Sequence, residues 1–416
     1  HYHLDNLIQI YDKNRLQIDG EVEQVMSIES IAWKYQAFGW HVIEIDGHNM
    51  EMLVEKLDWA RNHNNTGKPI IVICHTNKGR GVSFMQDIVA WHGKAPNRQE
   101  LNNLLGELQL RDAFDVDDLL AYGQSHLKKV DTRLDSELPQ FSRDYWWNHT
   151  DEMRVEMDAT RKALGRALDK YGDDERIVCI GADISDSITI SDFYRNHPER
   201  QKRFLSVGVA EQNATTIAAG LAKEGKIPVF GTYGVFSSAR NLDQLRVSVC
   251  YGNYNVLIIG AHGGISVGPD GATHQELESM FQITGVPNMN MVVPCDAIET
   301  EKAMRTLLFD VKGPKYLRFA REATPIITKD DTPFEFGKAT VFRFRKPQAK
   351  FVDAFEIHRA AKYASEDEDL TIVSCGPETA EALRAAWILK EESGLETRVV
   401  NMHTVKPLDR EAILRA

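Results

Sequence analysis

The chain alternates short apolar runs with longer stretches in which apolar residues recur at every third or fourth position. Continuous runs of about four to eight apolar residues are typical of strands buried on both faces, and the wider spacing is typical of amphipathic helices. The sequence therefore predicts an α/β fold of parallel sheets covered by helices on both faces. The predicted strands are 7–11, 41–45, 70–75, 177–180, 227–231, 256–260, 291–293, 315–319, 370–374 and 397–400. The predicted helices are 50–62, 158–170, 211–224, 297–309 and 378–392.

Breaks in this pattern divide the chain into three blocks and a linker. The blocks are 1–125, 151–325 and 326–416. The polar segment 126–150 lacks periodicity and is predicted to be a linker, in which the run Tyr145-Trp146-Trp147 packs on a domain surface. The charged segment 343–366 is predicted to be a surface insertion in the third block. Both ends of the chain are expected to fall inside domains.

Composition and charge narrow the class of protein. Hydrophobic residues make up 43% of the chain and charged residues 26%, as in an ordinary globular protein. The net charge of −12, from 49 basic and 61 acidic residues, argues against a partner that is a nucleic acid or an anionic membrane. The sequence contains no run of about 18 apolar residues, so it predicts no membrane span. The cysteines lie far apart and are predicted to be reduced core thiols of a cytoplasmic protein; they are Cys74, Cys179, Cys250, Cys295 and Cys375.

Two loops of the first block follow predicted strands, and ligands bind at the carboxyl ends of parallel strands. After strand 7–11, Asn14 offers a neutral oxygen and Leu16 a backbone carbonyl, which Mg²⁺ accepts as ligands beside a diphosphate. An Asx-rich turn is the simpler reading of the same spacing. After strand 70–75, a glycine-rich run could present N–H groups to phosphate oxygens. His92 lies in the loop that follows, where a solvated histidine is the commoner case.

The second block carries a carboxylate at a predicted helix start and two aromatic rings after a predicted strand. Glu211 either complements the helix macrodipole or, among small apolar neighbours, is a buried acid suited to proton transfer. Tyr233 and Phe236 could stack on a heterocycle, although core packing is the default for such a pair.

A glycine-rich loop with titratable groups follows strand 256–260. It carries His262, Asp270 and His274, a density that favours a functional site over a solvated loop. Four scattered residues are candidates for binding an anion, since arginine matches phosphate oxygens, and a surface salt bridge is the alternative for each; they are Arg161, Ser187, Arg318 and Arg321.

Taken together, these segments resemble the transketolases, a family of thiamine-diphosphate enzymes. Five phrases recur in the family's order along essentially the whole chain. They are Asp12-x-Asn-x-x-Gln-Ile-Asp-Gly20, Trp91-His-Gly-x-x-Pro96, the Glu211-Gln212 helix start, Gly268-x-Asp-Gly-x-Thr-His-Gln275 and the run from Val399 to Asp409. The resemblance implies the C-terminal part of a diphosphate-binding domain in 1–125, a pyrimidine-binding domain in 151–325 and the start of a C-terminal domain in 326–416.

The resemblance also implies roles toward thiamine diphosphate and a divalent cation, Mg²⁺ or Ca²⁺. Asn14 and the Leu16 carbonyl match metal ligands. Ile18 and Ile184 match residues that hold the thiazolium in a bent conformation, and Asp183 matches a cofactor-binding position. Glu211 matches the carboxylate that bonds the aminopyrimidine nitrogen, which favours the imino tautomer that removes the C2 proton and forms the ylid. Tyr233 and Phe236 lie in the segment that stacks on the pyrimidine.

Toward the substrate, the resemblance implies proton transfer and phosphate binding. His92 and His274 match residues that move protons at the carbonyl and hydroxyls, and Asp270 matches a hydroxyl reader. The residues that match the sugar-phosphate clamp are Arg161, Ser187, His262 and Arg321.

The implied activity is that of a transferase of aldehyde or ketone residues in the pentose phosphate pathway. It would move a two-carbon ketol unit from a ketose phosphate to an aldose phosphate, in a homodimer with active sites at the subunit interface. Alternatives are 1-deoxy-xylulose-5-phosphate synthase, the decarboxylating component of an oxoacid dehydrogenase, and a catalytically silent scaffold subunit. The Gln17–Gly20 and Trp91–Gly93 phrases favour transketolase.

Three features depart from the family pattern. The Gly-Asp-Gly phrase, whose aspartate is the main metal ligand, would precede Asn14 and is absent, Gln212 replaces a common histidine, and segment 343–366 is unusual. The first departure suggests a partial chain of a longer enzyme that would bind cofactor poorly by itself.

Overall fold

The computed structural model describes residues 4–63, 65–137, 142–345 and 350–416. The chain forms two compact units, His1–Gln140 and Phe141–Ala416. Within the described ranges, no helix has both the length and the apolar character needed to cross a bilayer.

The first unit is built around a three-stranded parallel sheet in the order β1-β5-β4. Its strands are β1 (Ile8–Lys13), β2 (Leu16–Gln17), β3 (Gly20–Glu21), β4 (His41–Asp46) and β5 (Ile70–His75). Its helices are α1 (Val22–Met26), α2 (Ile31–Ala37), α3 (Met50–Asn62), α4 (Arg98–Glu107) and α5 (Val116–Glu137). The short β2 and β3 form a hairpin of their own.

The central strand β5 is buried because successive side chains point to opposite faces of the sheet and each face is covered. Ile70 and Val72 pack in one cluster with Ala60 of α3. Ile71 and Ile73 pack in the other with Ile31 of α2. This two-sided burial explains the continuous apolar run that predicts the strand.

The structure corrects the prediction that segment 126–150 lacks regular structure, because α5 continues to Glu137. Leu120, Leu127 and Leu134 recur every seven residues on this helix, a periodicity that the surrounding polar residues obscure. Residues 138–141 of the predicted linker lie outside the described residues. Farther along, the Trp147 indole packs 4.9 Å from the Phe351 ring and donates a hydrogen bond to Glu381.

The second unit begins with a seven-stranded sheet in the order β18-β11-β12-β10-β9-β7-β8. The strands of the second unit up to residue 325 are β6 (Met157–Ala159), β7 (Ile177–Gly181), β8 (Phe204–Ser206), β9 (Ile227–Tyr233), β10 (Leu257–Ala261), β11 (Asn290–Val292), β12 (Lys315–Arg318) and β13 (Ala323–Pro325). Strands β6 and β13 form a separate antiparallel pair. The helices are α6 (Thr160–Tyr171), α7 (Asp192–Arg195), α8 (Glu211–Lys223), α9 (Leu242–Gln244), α10 (Ser279–Gly285) and α11 (Ala297–Phe309). All pairings in this sheet are parallel except that of β11 with β18.

The remainder of the second unit forms a four-stranded mixed sheet in the order β15-β14-β17-β16. Its elements are β14 (Thr340–Phe344), α12 (Phe351–Ala354), β15 (Phe355–Arg359), β16 (Leu370–Ser374), α13 (Glu378–Ser393), β17 (Thr397–Asn401), β18 (Thr404–Lys406) and α14 (Arg410–Arg415). Strand β18 is not part of the four-stranded sheet; it pairs antiparallel with β11 and so extends the seven-stranded sheet.

The prediction of a surface insertion at 343–366 is wrong. Strands β14 and β15 of this segment pair with each other, and Phe344, Phe351 and Phe355 are buried in the core under α13. In β15 the charged residues Glu356 and Arg359 are exposed, whereas Arg343 of β14 is buried and its guanidinium pairs with Glu366 at 2.7 Å and Glu368 at 2.8 Å. Residues 346–349 of the segment lie outside the described residues.

A buried lysine at the start of β12 makes the stability of the second unit depend on pH. The Lys315 side chain is fully buried, and its Nζ donates to Asn255 Oδ1 at 2.5 Å and to the Val311 carbonyl at 3.0 Å. Burial, with a smaller contribution from Lys312, lowers the pKa of Lys315 to about 7, whereas an unfolded lysine titrates near 10.4. Between these values the unfolded state binds more protons than the folded state, so stability rises with pH.

We expect Lys315→Met to remove this contribution, which approaches about 1.4 kcal/mol per pH unit inside the window. Urea unfolding of the wild type and the variant at several pH values between about 7 and 10 measures it. The control is Lys223→Met, because Lys223 is exposed at the end of α8. Parallel stability curves for the wild type and Lys315→Met would contradict the assignment.

Candidate active site

The candidate residues of the first unit lie at the carboxyl ends of β1 and β5. Asn14 Oδ1 accepts a hydrogen bond from the Leu16 N–H at 3.0 Å, and Asn14 Nδ2 donates to Asp12 at 3.2 Å. This is the geometry of an Asx turn, the simpler reading of the sequence. Ile18 is half-buried in the turn between β2 and β3.

The two strand ends are joined by a side-chain hydrogen bond, in which the Thr76 hydroxyl donates to Asp12. Two residues beyond Thr76, Lys78 Nζ lies 3.0 Å from Nδ1 of the exposed His92. Asp12 is therefore a further polar group at this edge, and its place near the end of β1 is the sequence signal that could have found it.

Around Asn14 and Leu16, the described ionisable side chains do not form a metal site. No group of three or more His, Cys, Asp or Glu side chains in the described ranges is arranged to hold a metal ion. Asn14 and the Leu16 carbonyl offer neutral oxygens only.

The second unit places Glu211 at the first position of α8, where its carboxylate is 2% exposed. Arg240 Nη1 lies 3.0 Å from each of the two carboxylate oxygens. A carboxylate removed from water is stable only when charge or hydrogen bonds compensate it, and the guanidinium does so here.

Two aromatic rings adjoin this ion pair. Tyr233 ends β9, and its ring lies roughly parallel to that of Phe236, with centroids 5.9 Å apart and an interplanar angle of 21°. The Arg240 guanidinium lies 4.2 Å from the centroid of Phe236, a cation–π contact. The side chains from Glu211 to Tyr233 thus form one continuous series of contacts.

His262 extends this series into the glycine-rich loop. Its ring stacks on Tyr233 at 4.3 Å and is fully buried. Burial first, and then the charges of Arg161 and Arg321, lower the pKa of His262 to about 3, so the ring is neutral near pH 7. Its φ of +59° lies in the left-handed region, which non-glycine residues adopt rarely and often at functional sites.

The two arginines beside His262 are held by backbone carbonyls. Arg161 Nη1 donates to the carbonyl of Ser187 at 2.8 Å, and Arg321 Nη1 donates to that of Val267 at 2.7 Å. The buried Nε of Arg161 has no hydrogen-bond partner among the described residues. These guanidinium groups therefore retain donors for an anion.

Other predicted residues surround Tyr233. Its hydroxyl is 2.8 Å from Ser187 Oγ, and burial raises its pKa, with the charge of Asp270 acting in the same direction. His274 meets the Phe236 ring edge-on at 5.2 Å. Asp183 and Ile184 are buried in the loop after β7, the same loop that carries Ser187.

Arg318, one of the predicted anion-binding candidates, instead forms an ion pair with a glutamate of the protein. Its side chain is mostly buried, and its Nε lies 3.2 Å from Glu276 and 3.0 Å from the Ser279 hydroxyl. Glu276 and Arg240 are the charged residues of this region to which sequence reasoning gave no role. Each finds its partner through a contact between segments 29 or more residues apart, for which the sequence holds no periodic signal.

Comparison with known proteins matches the chain to the domains of a single protein family. Residues 1–157 match the transketolase thiamine diphosphate binding domain, 156–326 the transketolase pyrimidine binding domain, and 359–416 the transketolase C-terminal domain. "Transketolase-like protein 1" of Bos taurus is 32% identical over 100% of this chain and 63% of its own length. "Transketolase" of Homo sapiens is 31% identical over 99% of this chain and 60% of its own length. The chain thus spans about three fifths of the length of these relatives.

Solved structures support the fold. A split-gene transketolase described as an inactive β4 tetramer is 36% identical, with a TM-score of 0.50 over 62% of this chain and 75% of its own. The transketolase of Campylobacter jejuni is 21% identical, with a TM-score of 0.51 over 100% of this chain and 63% of its own. Because the Campylobacter jejuni structure is only 21% identical, its similarity supports the fold alone. With its three matched domains, the chain belongs to the transketolase family.

Proposed function

We propose that this chain carries the pyrimidine-binding and sugar-phosphate-binding groups of a transketolase. In this reading it transfers a two-carbon ketol unit from a ketose phosphate to an aldose phosphate. The observation that carries the proposal is the continuous cluster of Glu211, Phe236, Tyr233 and His262 at the carboxyl edge of the seven-stranded sheet. The domains proposed with this function are 1–125, 151–325 and 326–416, and helix α5 continues from the first of them into the segment 126–150.

The residues present fit a thiamine diphosphate pyrimidine. Each Glu211 oxygen meets Arg240 through one hydrogen bond, so each has a further lone pair for a ring nitrogen. Phe236 and Tyr233 supply flat apolar faces beside that carboxylate. When bound, thiamine diphosphate supplies an electron sink for the carbon bond that is broken. Asp183, Ile184 and, in the first unit, Ile18 are proposed to contact it.

The diphosphate and its divalent cation, Mg²⁺ or Ca²⁺, are proposed to bind in the first unit. Asn14 would offer its side-chain oxygen and Leu16 its carbonyl, both hard oxygen donors. His92 is proposed to hold or move a proton at a substrate oxygen.

The chain's other groups have roles in substrate binding. His274 is proposed to exchange a proton with a substrate hydroxyl, and Asp270 to accept a hydrogen bond from one. The sugar phosphate would lie between two guanidinium groups, because their forked donors match its oxygens. The residues proposed to hold it are Arg161, Ser187, His262 and Arg321. The buried, neutral His262 can donate a hydrogen bond there without needing a proton from solvent.

A homodimer and a cytoplasmic location complete the proposal. The five cysteines are all free thiols, as expected in a reducing compartment.

The test uses the protein expressed from its complete coding sequence, with thiamine diphosphate and Mg²⁺. We expect transfer from xylulose 5-phosphate to ribose 5-phosphate and no consumption of pyruvate. Pyruvate consumption would instead indicate a deoxyxylulose-phosphate synthase or an oxoacid dehydrogenase component. Absence of both reactions would favour a silent subunit, which the inactive split-gene relative makes a specific alternative.

A further inference from the structure

Arg240 joins the two groups to which the proposed function assigns the pyrimidine. Its Nη1 contacts both oxygens of Glu211, and its guanidinium carbon lies 4.2 Å from the centre of the Phe236 ring. Because the Arg240 side chain contacts both groups, it fixes the orientation of the Glu211 carboxylate relative to the plane of the Phe236 ring.

Local backbone structure explains how one residue reaches both. Phe236–Arg240 is a turn of π-helix, a widened turn that is frequent at functional sites. The next residue, Asn241, is hydrogen-bonded through its side-chain amide to the Thr215 hydroxyl at 2.7 Å. Thr215 lies one turn beyond Glu211 on α8, and its hydroxyl donates to the Glu211 carbonyl at 2.9 Å. The turn that carries Arg240 is thus attached to the helix that carries Glu211.

The energetics favour a carboxylate fixed in one orientation. Glu211 is 2% exposed, whereas the Arg240 side chain is 42% exposed and reaches inward from the solvent side. Burial leaves few other partners for the carboxylate, so rotation of Glu211 would break charge-assisted hydrogen bonds that water cannot replace. A binding group held in place beforehand gains affinity because less freedom is lost on binding.

We propose that Arg240 is a positioning residue, which orients the Glu211 carboxylate against the Phe236 face before the cofactor pyrimidine binds. The proposal rests on the proposed function. Arg240 itself is not assigned a contact with the cofactor or the substrate.

The test measures thiamine diphosphate binding by the protein expressed from its complete coding sequence, by calorimetry at saturating Mg²⁺, together with the melting temperature of the cofactor-free protein. We expect Arg240→Met to weaken binding about 10- to 100-fold, the range found when the hydrogen-bond partner that orients a metal ligand is lost. Arg240→Lys keeps the charge and should recover part of the affinity, because an ammonium lacks the fixed planar donors of a guanidinium. Arg246→Met is the matched control, since Arg246 is exposed on the following turn and its loss changes the net charge equally.

A double-mutant cycle with Glu211→Gln separates positioning from general stabilisation. If Arg240 acts through Glu211, Arg240→Met should weaken binding far less in the Glu211→Gln background than in the wild type. Equal effects in the two backgrounds, or wild-type affinity in Arg240→Met, would overturn the proposal. If the methionine variant melts well below the wild type, Arg240→Gln provides the same comparison. Failure of the wild type to bind thiamine diphosphate would overturn the proposed function itself, so the two failures are distinguishable.

Discussion

Replacing Glu211 with glutamine is expected to lower the rate of two-carbon transfer by about 10²- to 10⁴-fold, the range typical of a lost proton-transfer group. Glutamine has nearly the same shape, and its amide oxygen can still accept a hydrogen bond. It carries no negative charge, so it cannot balance the positive charge that develops on a pyrimidine nitrogen. The expected result is therefore a large fall in kcat with a smaller change in the KM of either sugar phosphate.

The measurement is steady-state transfer by the complete protein, with cofactor at saturation. Glu224→Gln is the matched control, because Glu224 is exposed at the opposite end of the same helix. A melting curve for each variant shows whether the fold is retained. Turnover above about one tenth of the wild-type value would contradict the role proposed for Glu211. Loss of a proton-transfer group typically lowers the rate by about 100-fold or more.

The second large effect is expected on stability, from the buried ion pair of Arg318 and Glu276. Glu276 is 1% exposed and Arg318 13%, and their closest N···O distance is 3.2 Å. Removing Arg318 leaves the buried Glu276 carboxylate without its charged partner, although the Ser279 N–H still donates to it, and breaking a buried pair in this way costs about 3–5 kcal/mol. We expect Arg318→Met to lower the free energy of unfolding by that amount.

The position of this pair connects it to the candidate site. The Gly264 N–H donates to the Glu276 carbonyl at 2.8 Å, which closes the base of the loop that carries Asp270 and His274. A Cβ added at Gly263 would lie 2.6 Å from the guanidinium carbon of Arg318, so a larger residue where the loop passes this side chain would displace the guanidinium group. Loss of the pair should therefore loosen the loop as well as destabilise the unit.

Urea unfolding of the variants measures the effect. Arg305→Met is the control, because Arg305 pairs with Asp310 at the surface, where such pairs contribute about 1 kcal/mol or less. The double variant Arg318→Met, Glu276→Leu should recover much of the loss, since it leaves no unpaired buried charge. If Arg318→Met cost no more than Arg305→Met, the pair would have no special role in stability.

Periodicity predicted several elements with the bounds that the structure shows. Met50–Asn62 and Ala297–Phe309 begin directly after residues whose side chains cap the helix, Asn49 and Asp296. A cap and an amphipathic repeat are local signals, so sequence reading finds them. It misplaced segment 343–366, because β15 exposes charged residues and the buried Arg343 of β14 meets its carboxylate partners only in the folded chain, so both strands resemble a polar loop in the sequence.

The sequence by itself determined the α/β class, ten of the strands, five of the helices and which loops carry polar groups, because these depend on neighbours within a few residues. Only the tertiary structure decided that β18 adds to the seven-stranded sheet. It alone also decided that Arg240 pairs with Glu211 and that Arg318 pairs with Glu276. These contacts join segments tens of residues apart: β18 pairs with β11 through the backbone, and the free-energy cost of burying an unpaired carboxylate favours the two ion pairs. The loop titratable groups could therefore be recognised as candidates from the sequence, whereas the pairing that orients them could not.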